Sequence, residues 1–121
     1  MTIKSDANGT LYLFQGDTGS VRVNGLNPSS NYFVYFAIRN ANRELIGEEI
    51  KVTSNNSDSV RIFLDDTLTN KLTVPQGQDN EIYYYGVKIS EIGTNNEDTV
   101  IPALGEKRMV IVYPKVAEGE V

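Results

Sequence analysis

Residues 32–39 read Tyr-Phe-Val-Tyr-Phe-Ala-Ile-Arg, and this stretch decides the fold class. It is rich in aromatic and β-branched residues and contains neither glycine nor proline, which is typical of a β-strand. Successive side chains of a strand point to opposite faces. One face carries Tyr32, Val34, Phe36 and Ile38, and the other carries Phe33, Tyr35 and Ala37. Since both faces are apolar, the pattern predicts a strand at the centre of the fold.

Further apolar runs alternate with clusters of glycine, asparagine, aspartate, serine and proline at the spacing of a sandwich. In 59–64, Val60, Ile62 and Leu64 share one face, and Ser59, Arg61 and Phe63 share the other. We predict about seven strands, at 10–14, 20–24, 32–39, 44–53, 59–64, 82–90 and 107–113, and a short eighth at 99–101 would extend the set. Polar links at 40–43 and 54–58 predict hairpins. The predicted fold class is therefore all-β, an antiparallel β-sandwich.

One segment, 65–72, departs from the strand pattern. Leu68 and Leu72 lie four residues apart, as on one face of a helix, and Asp65 and Asp66 precede them. Acidic residues in this position cap a helical turn and complement its positive end. The alternative is a calcium site, since Ca²⁺ prefers carboxylate oxygens, but no further carboxylates follow at the spacing of a calcium-binding loop. We therefore predict one short helical turn with an acidic cap.

The composition limits the function. The chain has 121 residues, of which 40% are hydrophobic and 22% are charged, which predicts a single domain over 1–121 with frayed ends at about 1–8 and 116–121. The net charge of −5 argues against nucleic-acid and membrane-surface partners. The longest apolar run is far shorter than a membrane span. The chain contains no histidine and no cysteine, which excludes a Ser-His-Asp triad and thiol chemistry, so we expect no enzyme activity, no cofactor and no metal.

Two strands carry apolar surface that the core of a sandwich does not use. Only one face of each sheet meets the core in a two-layer fold. Residues 82–89, like 32–39, place aromatic side chains on both faces. The outer faces of these two strands carry Phe33, Tyr35 and Tyr84, which we predict to form an interaction surface. The alternative is that loops or a chain terminus cover these rings within the monomer.

Three motifs along the chain resemble those of a known family. The first is an aromatic residue followed by a Gly-Asp-Thr turn, at Phe14, Gly16, Asp17 and Thr18. The second is a helical turn followed by a glycine and a tyrosine-rich strand, at Asp66, Thr67, Leu68, Gly77, Tyr83 and Tyr85. The third is 99–101 followed by Gly105 and a strand at 109–112. In this order they resemble the small immunoglobulin-like β domain of tailed-phage structural proteins, including the N-terminal domain of upper-baseplate proteins.

Two of these motifs have a physical role in this interpretation. Glycine at position 16 takes the positive φ that ends the first strand. At the second motif, the resemblance implies a corner at which a tyrosine hydroxyl donates a hydrogen bond to the preceding loop. Tyr83 is the candidate donor. Tyr84 and Tyr85 are the alternatives, because the loop 74–81 is longer than the corresponding step in the family.

The resemblance implies a structural protein of a phage or prophage virion, assembled in the bacterial host cytoplasm. Such a module of the tail, baseplate or fibre would dock onto other phage structural proteins, and onto copies of itself as a homo-oligomer. One alternative is a carbohydrate- or host-surface-binding sandwich, in which exposed tyrosines stack on sugar rings. Another is an inhibitor that binds a host protein. The chain has no tryptophan, the usual platform for a sugar, and this favours the structural interpretation over the carbohydrate one.

Overall fold

The computed structural model describes residues 3–117, which form two packed β-sheets. The elements of this part of the chain are β1 Lys4–Ser5, β2 Leu11–Phe14, β3 Gly19–Asn24, β4 Tyr32–Arg39, β5 Leu45–Thr53, β6 Ser59–Leu64, α1 Asp66–Thr69, β7 Glu81–Glu91, β8 Glu97–Ile101 and β9 Met109–Tyr113. The predicted strands are all present, with boundaries shifted by at most two residues, and β1 is additional. The predicted fraying at 116–121 lies mostly outside the described residues. No helix within 3–117 is long and apolar enough to cross a membrane.

The two sheets differ in size. The larger has seven strands in the order β1-β2-β9-β7-β4-β5, with β8 also paired to β7, and the smaller consists of β3 and β6. Both β9 and β8 lie on the edge of β7 that faces away from β4. β9 pairs with the first part of β7, at 81–84, and β8 pairs with the second part, at 87–90. This order places β4 and β7 inside the larger sheet, as their apolar faces predict.

The predicted all-β sandwich is confirmed, but one pair of strands differs from the expected antiparallel order. β2 and β9 pair in parallel, with Leu11 opposite Val110, whereas all other pairs in the described chain are antiparallel. Strands joined by a short hairpin must be antiparallel, because the chain reverses between them. Most of the chain separates β2 from β9, so no hairpin constrains their direction and the larger sheet is mixed.

The core lies between the inner faces of the two sheets. The larger sheet contributes Leu11, Leu13, Val34, Phe36, Ile38, Tyr83, Tyr85, Val87, Val110 and Val112, and the smaller contributes Val23, Ile62 and Leu64. Leu68 and Leu72, which the sequence placed on one face of a helical turn, are buried with them. The rings of Phe36 and Tyr85 stack at a centroid separation of 5.6 Å. The alternation predicted for 32–39 and 82–89 therefore identifies the core side of both strands correctly.

The two polar links have different outcomes. The link 40–43 is a hairpin, as predicted, since β4 and β5 pair in antiparallel fashion across it. The link 54–58 has the predicted turn chemistry, with φ of 54° at Asn55 and 57° at Asn56. However, β5 and β6 belong to different sheets, so the prediction of a hairpin there is wrong. An alternating pattern identifies the buried face of a strand but not the sheet to which the strand belongs, and this link carries the chain from one layer to the other.

The N-terminal segment, which we expected to fray over 1–8, is held in place where it is described. β1 pairs in antiparallel fashion with β2. The Asp6 side chain organises the turn between them, because its Oδ1 accepts hydrogen bonds from the backbone N–H groups of Asn8 at 2.9 Å and Thr10 at 3.0 Å. Its Oδ2 accepts from the Tyr12 hydroxyl at 2.9 Å. A single carboxylate thus ties the turn to β2 through three hydrogen bonds.

Acidification is expected to release β1 from β2 before the rest of the fold responds. The hydrogen bonds from the Thr10 backbone and the Tyr12 hydroxyl lower the pKa of Asp6 from its ordinary value of 3.8. A carboxyl group whose pKa is lowered by folding stabilises the folded state above its ordinary pKa, and this contribution is lost as the pH falls through the folded pKa. Hydrogen exchange of the β1 and β2 amides, corrected for the intrinsic rate, should therefore show lower protection at about pH 2 to 3 than at about pH 7. Asp6→Asn should show the lower protection at both pH values, and equal protection of the wild type at both would contradict the prediction.

Candidate functional site

The outer face of the seven-stranded sheet carries the predicted interaction surface. In β4, the neighbours of Phe33 and Tyr35 in the sequence pack into the core, so these two rings point outward. Tyr84 occupies an outward position of β7, since both of its neighbours are buried. All three rings are half-buried. The sequence therefore placed these side chains on the correct face.

Lysine side chains lie over all three rings. The Nζ of Lys51 is 3.9 Å from the centroid of Phe33 and 5.8 Å from that of Tyr35. The Nζ of Lys107 is 5.3 Å from the centroid of Tyr84. Such contacts combine cation–π attraction with cover of the ring by the methylene stem. Lys107 lies in the loop segment that precedes β9. The alternative prediction, that loops cover the rings, is therefore correct for Tyr84.

Tyr35 and Tyr84 line one groove, with a volume of about 520 Å³. In the register of β4 and β7, the pair formed by Ala37 and Gly86 lies between them. Two small residues thus form the floor between two tyrosines. A Cβ atom at Gly86 would lie 3.2 Å from the carbonyl oxygen of Ile101, so glycine allows the end of β8 to approach closely there. Phe33 does not line the groove and lies beside it, under the lysine that also covers Tyr35.

The walls of the groove are mainly basic. Its charged lining consists of Arg39, Arg43, Lys107, Arg108, Glu49 and Glu106. The Arg108 Nε lies 3.5 Å from a carboxylate oxygen of Glu106. Hydrogen bonding with Tyr85 raises the pKa of Arg108, and the Glu106 carboxylate contributes in the same direction. The groove is therefore locally positive on a chain whose net charge is −5.

The groove has the elements of a binding site for an apolar or flat group that carries an anion or several hydroxyls. Its volume falls in the range of small-ligand sites, which combine apolar walls with a few polar groups. Tyrosine offers ring area and a hydroxyl, and arginine offers paired donors for an oxygen-rich group. The charged walls were missed by the sequence reasoning, because they come from segments far apart in the chain.

The apolar surface extends further than the sequence predicted. Ile82 is 39% exposed on the outer face of β7, next to Ile111 in β9. Between β9 and β2, the rings of Tyr113 and Phe14 meet with centroids 5.8 Å apart. Alternation within β2 and β9 would have placed these side chains outward. Their continuity with Tyr84 follows from the pairing of β9 with β7 and from the parallel pairing of β2 with β9, and the sequence gives no local sign of either.

The turn of the first sequence motif lies against the helical turn of the second. Gly16 has a φ of 87°, as predicted. Asp17 and Thr18 follow it in the link from β2, in the larger sheet, to β3, in the smaller. The Gln15 side chain donates a hydrogen bond from Nε2 to the carbonyl oxygen of Asn70, the C-cap of α1, at 2.8 Å. The two motifs are therefore neighbours in the structure and support the layer change of the chain.

The second motif has the predicted capped helical turn. Asp65 is the N-cap of α1, and its Oδ1 accepts a hydrogen bond from the backbone N–H of Leu68 at 3.0 Å. Asp66 and Thr67 open the turn, and Leu68 is buried. The capping interpretation of the acidic pair is therefore confirmed for Asp65.

The tyrosine corner has the predicted donor. The hydroxyl of Tyr83 donates to the carbonyl oxygen of Thr73 at 2.5 Å. This acceptor directly precedes the loop 74–81, in which Gly77 has a φ of 90°. The hydroxyl of Tyr85, one of the alternatives, donates instead to the N-terminal segment. The corner residues stabilise the fold and lie on the core side, away from the outer face.

Within residues 3–117, no group of three or more acidic side chains converges as a metal site. Comparison with models of known protein families finds no match, and comparison with curated proteins finds none either. The aromatic outer face with its basic groove is therefore the candidate functional site on structural grounds alone.

Proposed function

We propose that the chain is a non-catalytic, immunoglobulin-like β domain of a phage or prophage virion, which docks onto other virion proteins through the outer face of its larger sheet. The observation that carries this proposal is the aromatic surface of Phe33, Tyr35 and Tyr84 on two adjacent inner strands of that sheet. The three family motifs support the virion context. A docking role of this kind requires no cofactor and no metal.

The outer face suits a protein partner on energetic grounds. A cation–π contact at an exposed site contributes about 0.5 to 1 kcal/mol. An aromatic side chain buried at the centre of an interface often contributes about 2 kcal/mol or more. A partner that covers the rings can therefore displace Lys51 and Lys107 with a net gain in free energy. The strands hold the tyrosines in place, so few side-chain rotamers are lost on binding.

The location in the virion can be tested directly. An antibody against the chain, applied to particles purified from a lysate of the phage that encodes it, should label the tail, baseplate or fibre. The unassembled fraction of the same lysate serves as the control for expression. A chain that is abundant in that fraction but missing from intact particles would contradict the virion proposal.

Tyr35→Thr is expected to reduce incorporation of the chain into particles at least about tenfold. The substitution removes a ring from the centre of the outer face. Threonine keeps the strand propensity of the position. The measurement is the amount of chain per particle, with the free energy of unfolding of the purified variant as the control for folding. Leu104→Thr, which removes a fully exposed apolar side chain outside the groove, is the matched comparison. Normal incorporation of a folded Tyr35→Thr variant would argue against this surface.

Sedimentation across a range of concentrations tests the homo-oligomer. If copies of the chain assemble through the outer face, the average mass should rise with concentration, and Phe33→Ser or Tyr35→Thr should abolish the rise without unfolding the protein. A monomer at all concentrations would restrict the surface to other partners.

A second candidate function is carbohydrate binding, and the groove between Tyr35 and Tyr84 favours it. The groove combines two tyrosines with Arg39 and Glu49, which can bond sugar hydroxyls. A screen against immobilised glycans distinguishes the two functions. Binding that is lost on Tyr84→Ala, together with absence from virions, would replace the structural proposal.

A further inference from the structure

The small sheet carries an opposed pair of arginines on its outer face. Arg22 of β3 lies directly opposite Arg61 of β6 in the strand register, and both residues are exposed. Within residues 3–117, neither guanidinium group forms an ion pair or a hydrogen bond. Like charges at directly opposed positions of an antiparallel pair destabilise the sheet. The chain therefore keeps a repulsive pair that its described part does not neutralise, although its net charge is −5.

An exposed aromatic ring adjoins the arginine pair. Phe63 is 58% exposed on the same face of β6, two residues beyond Arg61. The other outward positions of the two strands are small or polar, at Ser20, Asn24 and Ser59. Arginine and aromatic residues are the types most enriched at the energetic centres of protein interfaces. Two free guanidinium groups and one free ring thus form a single patch, here called the arginine patch.

We propose that the arginine patch binds an extended acidic segment of a partner protein. A carboxylate of this segment lies between Arg22 and Arg61, and an apolar side chain of the segment lies over Phe63. The guanidinium group has a planar fork of donors that matches the two oxygens of a carboxylate. Alternate residues of an extended segment lie on one face about 6 to 7 Å apart, which is also the spacing of Arg61 and Phe63 along β6. The recognised pattern is thus an acidic residue and an apolar residue two positions apart, in the order set by the direction of the segment.

Charge complementarity selects this occupant over others. A nucleic acid is disfavoured by the net charge of −5, because the two arginines of the patch do not offset it along a backbone that carries a phosphate at every nucleotide. A two-fold contact between copies through the same face would bring four arginines together, because such an interface presents the same patch twice. A partner segment with carboxylates neutralises the pair and covers the ring. This inference does not depend on the proposed function, since the patch lies on the other sheet from the groove.

A peptide titration followed by NMR tests the proposal. The probe is an acetylated and amidated peptide, Thr-Leu-Thr-Glu-Thr-Leu-Thr, which has an apolar residue two positions from the glutamate on either side, and it is added to the isotope-labelled protein. We expect saturable shifts of the backbone amides of β3 and β6, and affinity at least about tenfold lower for Arg22→Thr, Arg61→Thr and the peptide with glutamine in place of glutamate. Lys88→Thr is the matched control. It removes one positive charge from β7 of the larger sheet, where the Lys88 Nζ lies 2.6 Å from a carboxylate oxygen of Glu97 and both side chains are about half exposed. Its affinity for the peptide should equal that of the wild type.

Three outcomes would overturn the proposal. One is the lack of saturable shifts in β3 and β6 at millimolar peptide. The second is equal affinity for the glutamate and glutamine peptides. The third combines two results: sodium sulfate produces the same amide shifts as the peptide, and Phe63→Thr leaves the affinity for the peptide unchanged. Together they would indicate a site for small anions only.

The repulsion between Arg22 and Arg61 can be measured separately by thermal unfolding. Arg61→Thr should raise the thermal midpoint of unfolding at low ionic strength, and the difference from the wild type should shrink at about 1 M salt, where charges are screened within a few Å. A midpoint that falls equally at both ionic strengths would show that Arg61 is a stabilising residue, and the argument for an acidic partner would fail.

Discussion

Phe36→Ala is expected to lower the free energy of unfolding by about 3 to 5 kcal/mol, the largest effect of any single substitution considered. Phe36 is fully buried in β4 and stacks on Tyr85 of the neighbouring strand. Truncation removes the apolar area of the ring and leaves a cavity between the two sheets, which a close-packed core fills only in part. Urea unfolding, with the midpoint and slope analysed together, measures the loss.

The adjacent residue gives the matched control for this prediction. Tyr35→Thr removes a ring of similar size from the opposite face of the same strand and is expected to change the free energy of unfolding by less than about 1 kcal/mol. The contrast tests the assignment of faces on which the interaction surface depends. Comparable losses for the two variants would mean that the outer ring is part of a core, and the outer face would no longer be a candidate surface.

Tyr83→Phe is expected to destabilise the protein by about 0.5 to 1.5 kcal/mol, the net contribution of an intramolecular hydrogen bond. The ring of Tyr83 remains packed in this variant, but the carbonyl oxygen of Thr73 loses the hydroxyl that donates to it at 2.5 Å. Thr73 is an exposed residue, so water replaces the hydroxyl and the full cost of a buried, unpaired acceptor does not arise. The corner also closes the link between α1 and β7, so hydrogen exchange in 70–80 should accelerate in the variant.

Tyr84→Phe is the control for the hydroxyl. Its ring lies on the outer face under Lys107, and removing its hydroxyl should change the free energy of unfolding by no more than about 0.5 kcal/mol. An unfolding midpoint of Tyr83→Phe that equals that of Tyr84→Phe would reject the corner as a stabilising contact. The position of the link between α1 and β7 would then depend on the buried side chains of Leu68 and Leu72.

The predictions from the sequence held best where the relevant contact is local. Asp65 caps a turn whose first N–H groups are within four residues of it, and Gly16 takes the positive φ of the turn in which it stands. The hydroxyl of Tyr83 reaches back only ten residues to Thr73. Each of these features depends on a few neighbouring residues, so the residue types carry enough information to predict them.

The candidate site was predicted only in part, because it combines local and distant features. Alternation alone placed Tyr35 and Tyr84 on outward faces. Their approach to a common groove depends on the register of β4 with β7, which sets Ala37 and Gly86 between them. The basic walls come from a hairpin and from the segment before β9. No sequence window contains these segments together, so the charge of the groove could not be anticipated.

By itself, the sequence determined the all-β class, the positions of the strands and turns, and the side that enters the core in the strands at 32–39, 59–64 and 82–89. These properties follow from alternation and turn chemistry, which act within a few residues. Only the tertiary structure decided which strands became neighbours. The parallel pairing of β2 with β9, the change of layer at 54–58 and the opposition of Arg22 to Arg61 are contacts between distant parts of the chain. Their free energy comes from apolar surface that both layers bury together, so it belongs to the assembled core and to no single segment.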